Sequence, residues 1–175
     1  GVCGTRLCGF GASSPARPGA LRLPDGGRYE TDRMELLSSL HIEHVPGGHV
    51  PRELLLAADE SPLAVADYIG RGRCYGAFLS GRMVGEYVLL HTRPFTAEVV
   101  NIAVEPALQR QGIGSALLRH AVAEARAAGF RKLEIGTGNS GFGQMALYTR
   151  CGFRMEWIDR DFFALHYPEP IVEEG

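Results

Sequence analysis

The segment Val99-Val100-Asn101-Ile102-Ala103-Val104-Glu105-Pro106-Ala107-Leu108-Gln109-Arg110-Gln111-Gly112-Ile113-Gly114-Ser115 reads as an apolar strand, a short polar loop and a helix entered through two glycines. A helix N-terminus carries unpaired backbone N–H groups and about half a positive charge. Glycines remove the side chains that would hold a phosphate away from those groups, so this segment reads as an anion site. Two other nucleotide loops are excluded. A dinucleotide fingerprint needs a third glycine, where this chain has Leu117, and an acid at the end of the next strand, whereas Glu134 lies inside its strand. A P-loop ends in Gly-Lys-Ser/Thr, and Gly112-Ile113-Gly114-Ser115 has no lysine.

Gln109-x-x-Gly112-x-Gly114, with an apolar strand before it and a Leu-rich helix after it, resembles the Gln/Arg-x-x-Gly-x-Gly/Ala signature of the GNAT superfamily of N-acetyltransferases. A second stretch, Leu133-Glu134-Ile135-Gly136-Thr137-Gly138-Asn139-Ser140 followed by Gln144-Met145-Ala146-Leu147-Tyr148, resembles that superfamily's fifth strand and tyrosine-bearing helix. Tyr148, Gly152 and Phe153 meet its Tyr-x-x-x-Gly-Phe pattern. The resemblance spans Val50 to His166 and has the wording of a little-studied bacterial branch. It implies acetyl-CoA as co-substrate and an acetyl group moved to a primary amine by direct attack in a ternary complex. Gln109 belongs to the signature, Arg110 adds charge at the rim, and the backbone of Gln111, Gly112, Ile113, Gly114 and Ser115 takes the pyrophosphate. The pantetheine arm pairs with the backbone of Ile102, Ala103 and Val104. Asn139 is placed to bond the cofactor or shape its loop, and Tyr148 protonates the departing sulfur.

Acetyl transfer also requires the attacking nitrogen to be neutral. Glu98 is the first choice of base, because it starts the central strand on an otherwise apolar segment. Glu134 and Glu86 are alternatives, each with the commoner fate of a strand glutamate, solvation or pairing with an arginine. An amine that arrives neutral needs no base. His41, His44 and His49 do not make a metal site, since His41 and His44 point to opposite faces of a strand and no further ligand completes the set.

The elements that position these groups follow from pattern. Ser61-Pro62 caps one of two short helices within residues 51–70. Arg73 to Leu79 and Met83 to Leu90 form a hairpin around Ser80-Gly81-Arg82. Ala97 to Val104, the helix Gly112 to Ala128 with Ile113, Leu117, Ala121 and Ala125 at spacings of four, and Lys132 to Thr137 make a right-handed βαβ unit. The expected fold is α/β, a GNAT-like mixed and mostly antiparallel sheet with a central parallel βαβ unit flanked by helices. After a strand at Phe153 to Ile158 the superfamily has one further strand, which is expected to be absent from this chain.

Residues 1–33, rich in Gly, Ala, Ser, Pro and Arg without a sustained period, read as a disordered leader or upstream extension. Their deletion is expected to leave folding and activity intact. Residues 34–175 read as a single acetyltransferase domain. With 18 basic and 20 acidic residues, a net charge of −2 and no basic run, neither nucleic acid nor a membrane is the expected partner. No signal peptide or membrane-spanning run is present in the sequence, which places the expected location in the cytoplasm. The four cysteines have no metal spacing. The acceptor is expected to be a small-molecule or protein amine, and acidic residues among the less motif-like elements, Asp59, Glu60, Glu86, Asp159 and Asp161, point by composition to a cationic one. Dimerisation is common in the superfamily, and an incomplete sheet edge would encourage a homodimer. The competing reading is a non-catalytic acyl-CoA-binding module.

Overall fold

Three antiparallel strands rich in β-branched and aromatic residues supply half of the sheet, and the βαβ unit supplies the join to the rest. The computed structural model describes residues 4–9, 27–138 and 142–167. In chain order the elements are β1 (Gly4–Gly9), α1 (Gly27–Ser38), β2 (His41–Val45), α2 (Arg52–Ala58), α3 (Pro62–Ile69), β3 (Arg73–Leu79), β4 (Arg82–Arg93), β5 (Thr96–Val104), α4 (Ile113–Ala127), β6 (Lys132–Gly138), α5 (Phe142–Arg150), β7 (Arg154–Asp159) and α6 (Phe162–His166). The sheet has the order β2-β3-β4-β5-β6-β1-β7. Its pairs are antiparallel except β5 with β6, which are joined through α4 and run parallel.

Alternation splits the strands between two apolar layers. Tyr75, Ala77, Tyr87, Leu89, Ala97, Val99, Leu133 and Ile135 pack on one side against Ile113, Leu117, Leu118, Ala121 and Ala125 of α4. Each large side chain fully buried in this way contributes about 1.5–3 kcal/mol. Cys74, Val88 and Leu90 face the other way, toward Leu55 of α2 and Val65 and Tyr68 of α3. The Ser61 hydroxyl accepts from the Ala64 N–H, and Pro62 fills the first helical position, as the sequence predicts for α3. Gly129, at φ +83°, ends α4 in the left-handed conformation, with its N–H bonded to the Arg126 carbonyl.

The N-terminal segment corrects two sequence expectations. Gly4–Gly9 is a strand, not disordered leader, and it lies between β6 and β7 with Leu7 across from Ile135 and Met155. The slot for the strand that the chain was expected to lack is therefore filled from the other end of the sequence. Leu7 is buried in the core, which ties this strand to the fold. Six residues with one strong apolar position are too short for the alternation to register, and the partners lie more than a hundred residues away. Helix α1 likewise begins inside the expected leader, with Leu36 and Leu37 packed on the core. The Ile171-Val172 segment noted as strand-like lies outside the described residues.

Candidate functional site

The site begins where β5 and β6 part. They pair only over Thr96–Val99 with Lys132–Ile135, although β5 runs on to Val104 and β6 to Gly138. A bulge sits at the parting: Val88 pairs with Asn101 and Leu89 with Val99, which leaves Val100 without an opposite residue on β4. A bulge bends its strand and interrupts the ladder, and here it turns the C-terminal half of β5 away from β6. Ile102, Ala103 and Val104 therefore lie along an open splay between parallel strands. The Gln109 side chain folds back on this segment, its Nε2 donating to the Val104 carbonyl at 3.1 Å.

The loop at the end of β5 leads into the N-terminus of α4. Arg110 has φ +63° and Gly112 has φ +98°. The first case is uncommon for a residue with a side chain and marks a loop held by its surroundings. The intrahelical ladder starts with the Ala116 N–H on the Gly112 carbonyl, so the N–H groups of Ile113, Gly114 and Ser115 precede it. A Cβ at Gly112 would lie 3.2 Å from Leu37 Cδ1 and 3.4 Å from Arg33 Nε, so α1 closes one wall of the loop. A cavity of about 580 Å³ opens there, lined by Arg33, Arg110, Gln109 and Gln111 together with Glu30 and Asp32. Glycine at the helix start, free N–H groups and two guanidinium groups fit a phosphate-bearing ligand. Arg33 belongs to the expected leader, and sequence reasoning missed it.

The three candidate bases have different surroundings. Glu98 forms an ion pair with Arg6 of β1, each side chain 15 % exposed. Burial raises its pKa above the usual carboxylate value, while Arg6 pulls in the opposite direction. Glu134, 2 % exposed, is taken by Arg93 at 2.6 Å and Lys132 at 3.2 Å, the structural fate weighed for a strand glutamate. Glu86 is fully buried, and neither carboxylate oxygen has a hydrogen-bond partner among the described residues. Burial pushes it up to about 8, against a smaller pull from the nearby Ala103 backbone, which does not reach hydrogen-bond geometry.

Tyr148 on α5 is 4 % exposed and packs against Phe153 with ring centroids 6.3 Å apart. Burial pushes its phenol up to about 12, so the proton is firmly held at neutral pH. The Gly114 face of α4 approaches Leu147, the residue before it, with a built Cβ 3.4 Å from Leu147 Cδ2. The anion loop and the tyrosine helix thus meet over the C-terminal end of β5. Asn139 lies outside the described residues. Asn101 was overlooked as a site residue, although a lone amide in the apolar run Val99–Val104 was the visible signal. Its Nδ2 donates to the Leu55 carbonyl at 2.9 Å and to the Tyr68 hydroxyl at 2.6 Å. Among the described residues there is no cluster of three metal-ligating side chains and no helix long and apolar enough to cross a membrane.

A model of the Acetyltransferase (GNAT) family matches residues 43–153. The chain is 50 % identical over 123 residues to the uncharacterized N-acetyltransferase YvbK of Bacillus subtilis, covering 70 % of this chain and 79 % of that one. It is similar to the solved structure of an IAA acetyltransferase from Bacillus cereus, with 52 % identity and a TM-score of 0.74 over 78 % of this chain and 91 % of the other. A GNAT family acetyltransferase from Elizabethkingia anophelis, solved with acetyl-CoA bound, shares 40 % identity at a TM-score of 0.75, over 78 % of this chain and 90 % of the other.

Proposed function

The chain belongs to the acetyltransferase (GNAT) family, and on that premise we propose how its own residues carry the transfer of an acetyl group from acetyl-CoA to an amine. It is an acetyl-CoA-dependent N-acetyltransferase, so the reading of a non-catalytic acyl-CoA module has no support beside it. The observation that carries the assignment of residues is the splay of β5 from β6 beside the glycine entrance of α4. The pyrophosphate rests on the N–H groups from Gln111 to Ser115, with Arg110 and Arg33 supplying charge. The amides of the pantetheine arm pair with the backbone of Ile102, Ala103 and Val104, which β6 leaves unpaired.

That path brings the thioester to the parting of the strands, next to Glu98. The carboxylate takes a proton from the acceptor ammonium, and the freed nitrogen attacks the thioester carbonyl carbon. Charge building on the carbonyl oxygen meets a strand N–H of β5 in the dry cleft, where such a donor acts strongly. As the C–S bond breaks, the Tyr148 hydroxyl gives its proton to the sulfur, and the nitrogen, cationic after the attack, returns its surplus proton to the tyrosinate, which leaves a neutral amide, a free thiol and a protonated Glu98. Burial keeps the phenol protonated at neutral pH, so a donor is present as charge builds on the sulfur. The acceptor is a small-molecule or protein amine.

Replacement of Tyr148 by Phe tests the assignment through release of free thiol. Turnover is expected to fall at least about a hundredfold, the size of a lost general acid, while acetyl-CoA affinity is kept. Turnover equal to that of the parent would remove Tyr148 from the chemistry.

A further inference from the structure

Three buried oxygens on one face of the sheet have no hydrogen-bond partner among the described residues: Glu86 Oε1 and Oε2 and Asn101 Oδ1. Asn101 reaches α2 and α3 through its amide nitrogen, which fixes the face on which it stands. Glu86 stands on the same face. Its chain neighbour Tyr87 points to the α4 side, where its hydroxyl meets His120 at 2.8 Å, and successive strand residues alternate. On β5 the residue opposite Glu86 is Ala103, two positions from Asn101, so the carboxylate and the amide are diagonal neighbours. The residue opposite Glu86 on β3 is Gly76, over which Phe78 and Met83 fold and supply only apolar atoms. A buried carboxylate without donors is costly to keep, and an unsatisfied amide oxygen beside it adds to that cost. Both are explained by a missing group that is cationic and rich in N–H donors.

Glu98 cannot be the partner of that same group. It is held by Arg6, on the β1 side of β5, whereas Glu86 comes from β4 on the other side. The two carboxylates therefore attend different nitrogens. Resting on the reading of the chain as an amine acetyltransferase with its base at Glu98, we propose that Glu86 and Asn101 seat a second, non-reacting ammonium group of the acceptor, so that the preferred acceptor class is an aliphatic diamine. An alkylammonium offers three N–H donors, matching three unpartnered acceptor oxygens. Leu55 of α2 and Tyr68 of α3, which the Asn101 amide nitrogen meets, form the cover. This cover must part to admit the acceptor.

The test compares 1,4-diaminobutane with n-butylamine as acceptors for the parent, Glu86→Gln and Asn101→Leu, and measures 1,4-diaminobutane binding to the CoA-loaded proteins by calorimetry. The parent is expected to favour the diamine at least tenfold in kcat/KM. Glu86→Gln should abolish that preference through KM, with kcat for n-butylamine and affinity for CoA unchanged, and should weaken diamine binding at least tenfold. Asn101→Leu should weaken diamine binding in the same direction. Equal use of the two amines by the parent, an equal effect of Glu86→Gln on both, or no diamine binding to the CoA-loaded parent would overturn the seat. Failure of the parent to bind CoA would instead overturn the reading on which the seat rests.

Discussion

Glu86 should make the protein lose stability as the solution becomes more alkaline, and Glu86→Gln should remove that loss. The carboxyl titrates near 4.5 when solvated and near 8 in the fold. Between these values the folded state holds a proton that the unfolded chain has released, so the free energy of unfolding falls as pH rises. The stability associated with the protonated form is fully present below about pH 4.5 and is lost as pH climbs through the folded value near 8. Each pH unit inside the window costs about 1.4 kcal/mol, and from about pH 6 to pH 8 the loss amounts to about 2 kcal/mol, because the folded carboxyl is itself half ionised at the upper end. Glutamine has the same shape and no proton to lose. Its own unsatisfied amide imposes a cost that does not change with pH. Urea unfolding of parent and variant at matched pH values gives the comparison, since the titrations of all other groups are shared and cancel in the difference. The two stabilities should diverge by about 2 kcal/mol over that range, with the variant gaining on the parent. Parallel curves would mean that Glu86 is ionised and satisfied in the folded protein, and the argument from its orphaned oxygens would fail.

Two other substitutions probe the N-terminal strand. Leu7→Ala removes a side chain that is 1 % exposed and should cost about 3 kcal/mol, seen as a lower midpoint in thermal unfolding; an unchanged midpoint would place β1 outside the sheet. Arg6→Gln deletes the cation that opposes burial at Glu98, so the acidic limb of the kcat/KM profile should move to higher pH, and a profile that stays in place would separate Arg6 from the base.

Much of this architecture is carried by local pattern. The glycines at 112 and 114, the stripe of α4 and the proline after Ser61 each act within a few residues, and each element formed within a residue or two of its expected bounds. Helix α4 starts at Ile113 because Gly112 takes a left-handed conformation that stops the helix from extending backward. What local pattern could not convey is pairing across the chain. The segment Gly4–Gly9 has no alternation strong enough to announce a strand, and its place is set by Leu7 fitting between β6 and β7. Because that strand was missed, so were Arg6 and the ion pair that makes Glu98 something other than a free carboxylate. Glu86 was visible as a charge in an apolar hairpin, yet only the register with Gly76 and Ala103 shows that no hydrogen-bond partner meets it among the described residues. The open end of the β5–β6 pair was legible from the motif, whereas its immediate cause, the bulge at Val100, was not.

The claim that organises the rest is that the glycine entrance of α4 receives the pyrophosphate of acetyl-CoA, and the most direct measurement is a calorimetric titration of the parent and of Gly114→Asp with acetyl-CoA. A Cβ at position 114 meets only Leu147 and Val104 at 3.4 and 4.0 Å, and a carboxylate in the first turn suits a helix N-terminus, so the fold should tolerate the change. The parent is expected to bind, and the added negative charge to weaken binding at least tenfold. A parent that does not bind, or a variant that binds as tightly as the parent, would contradict the claim.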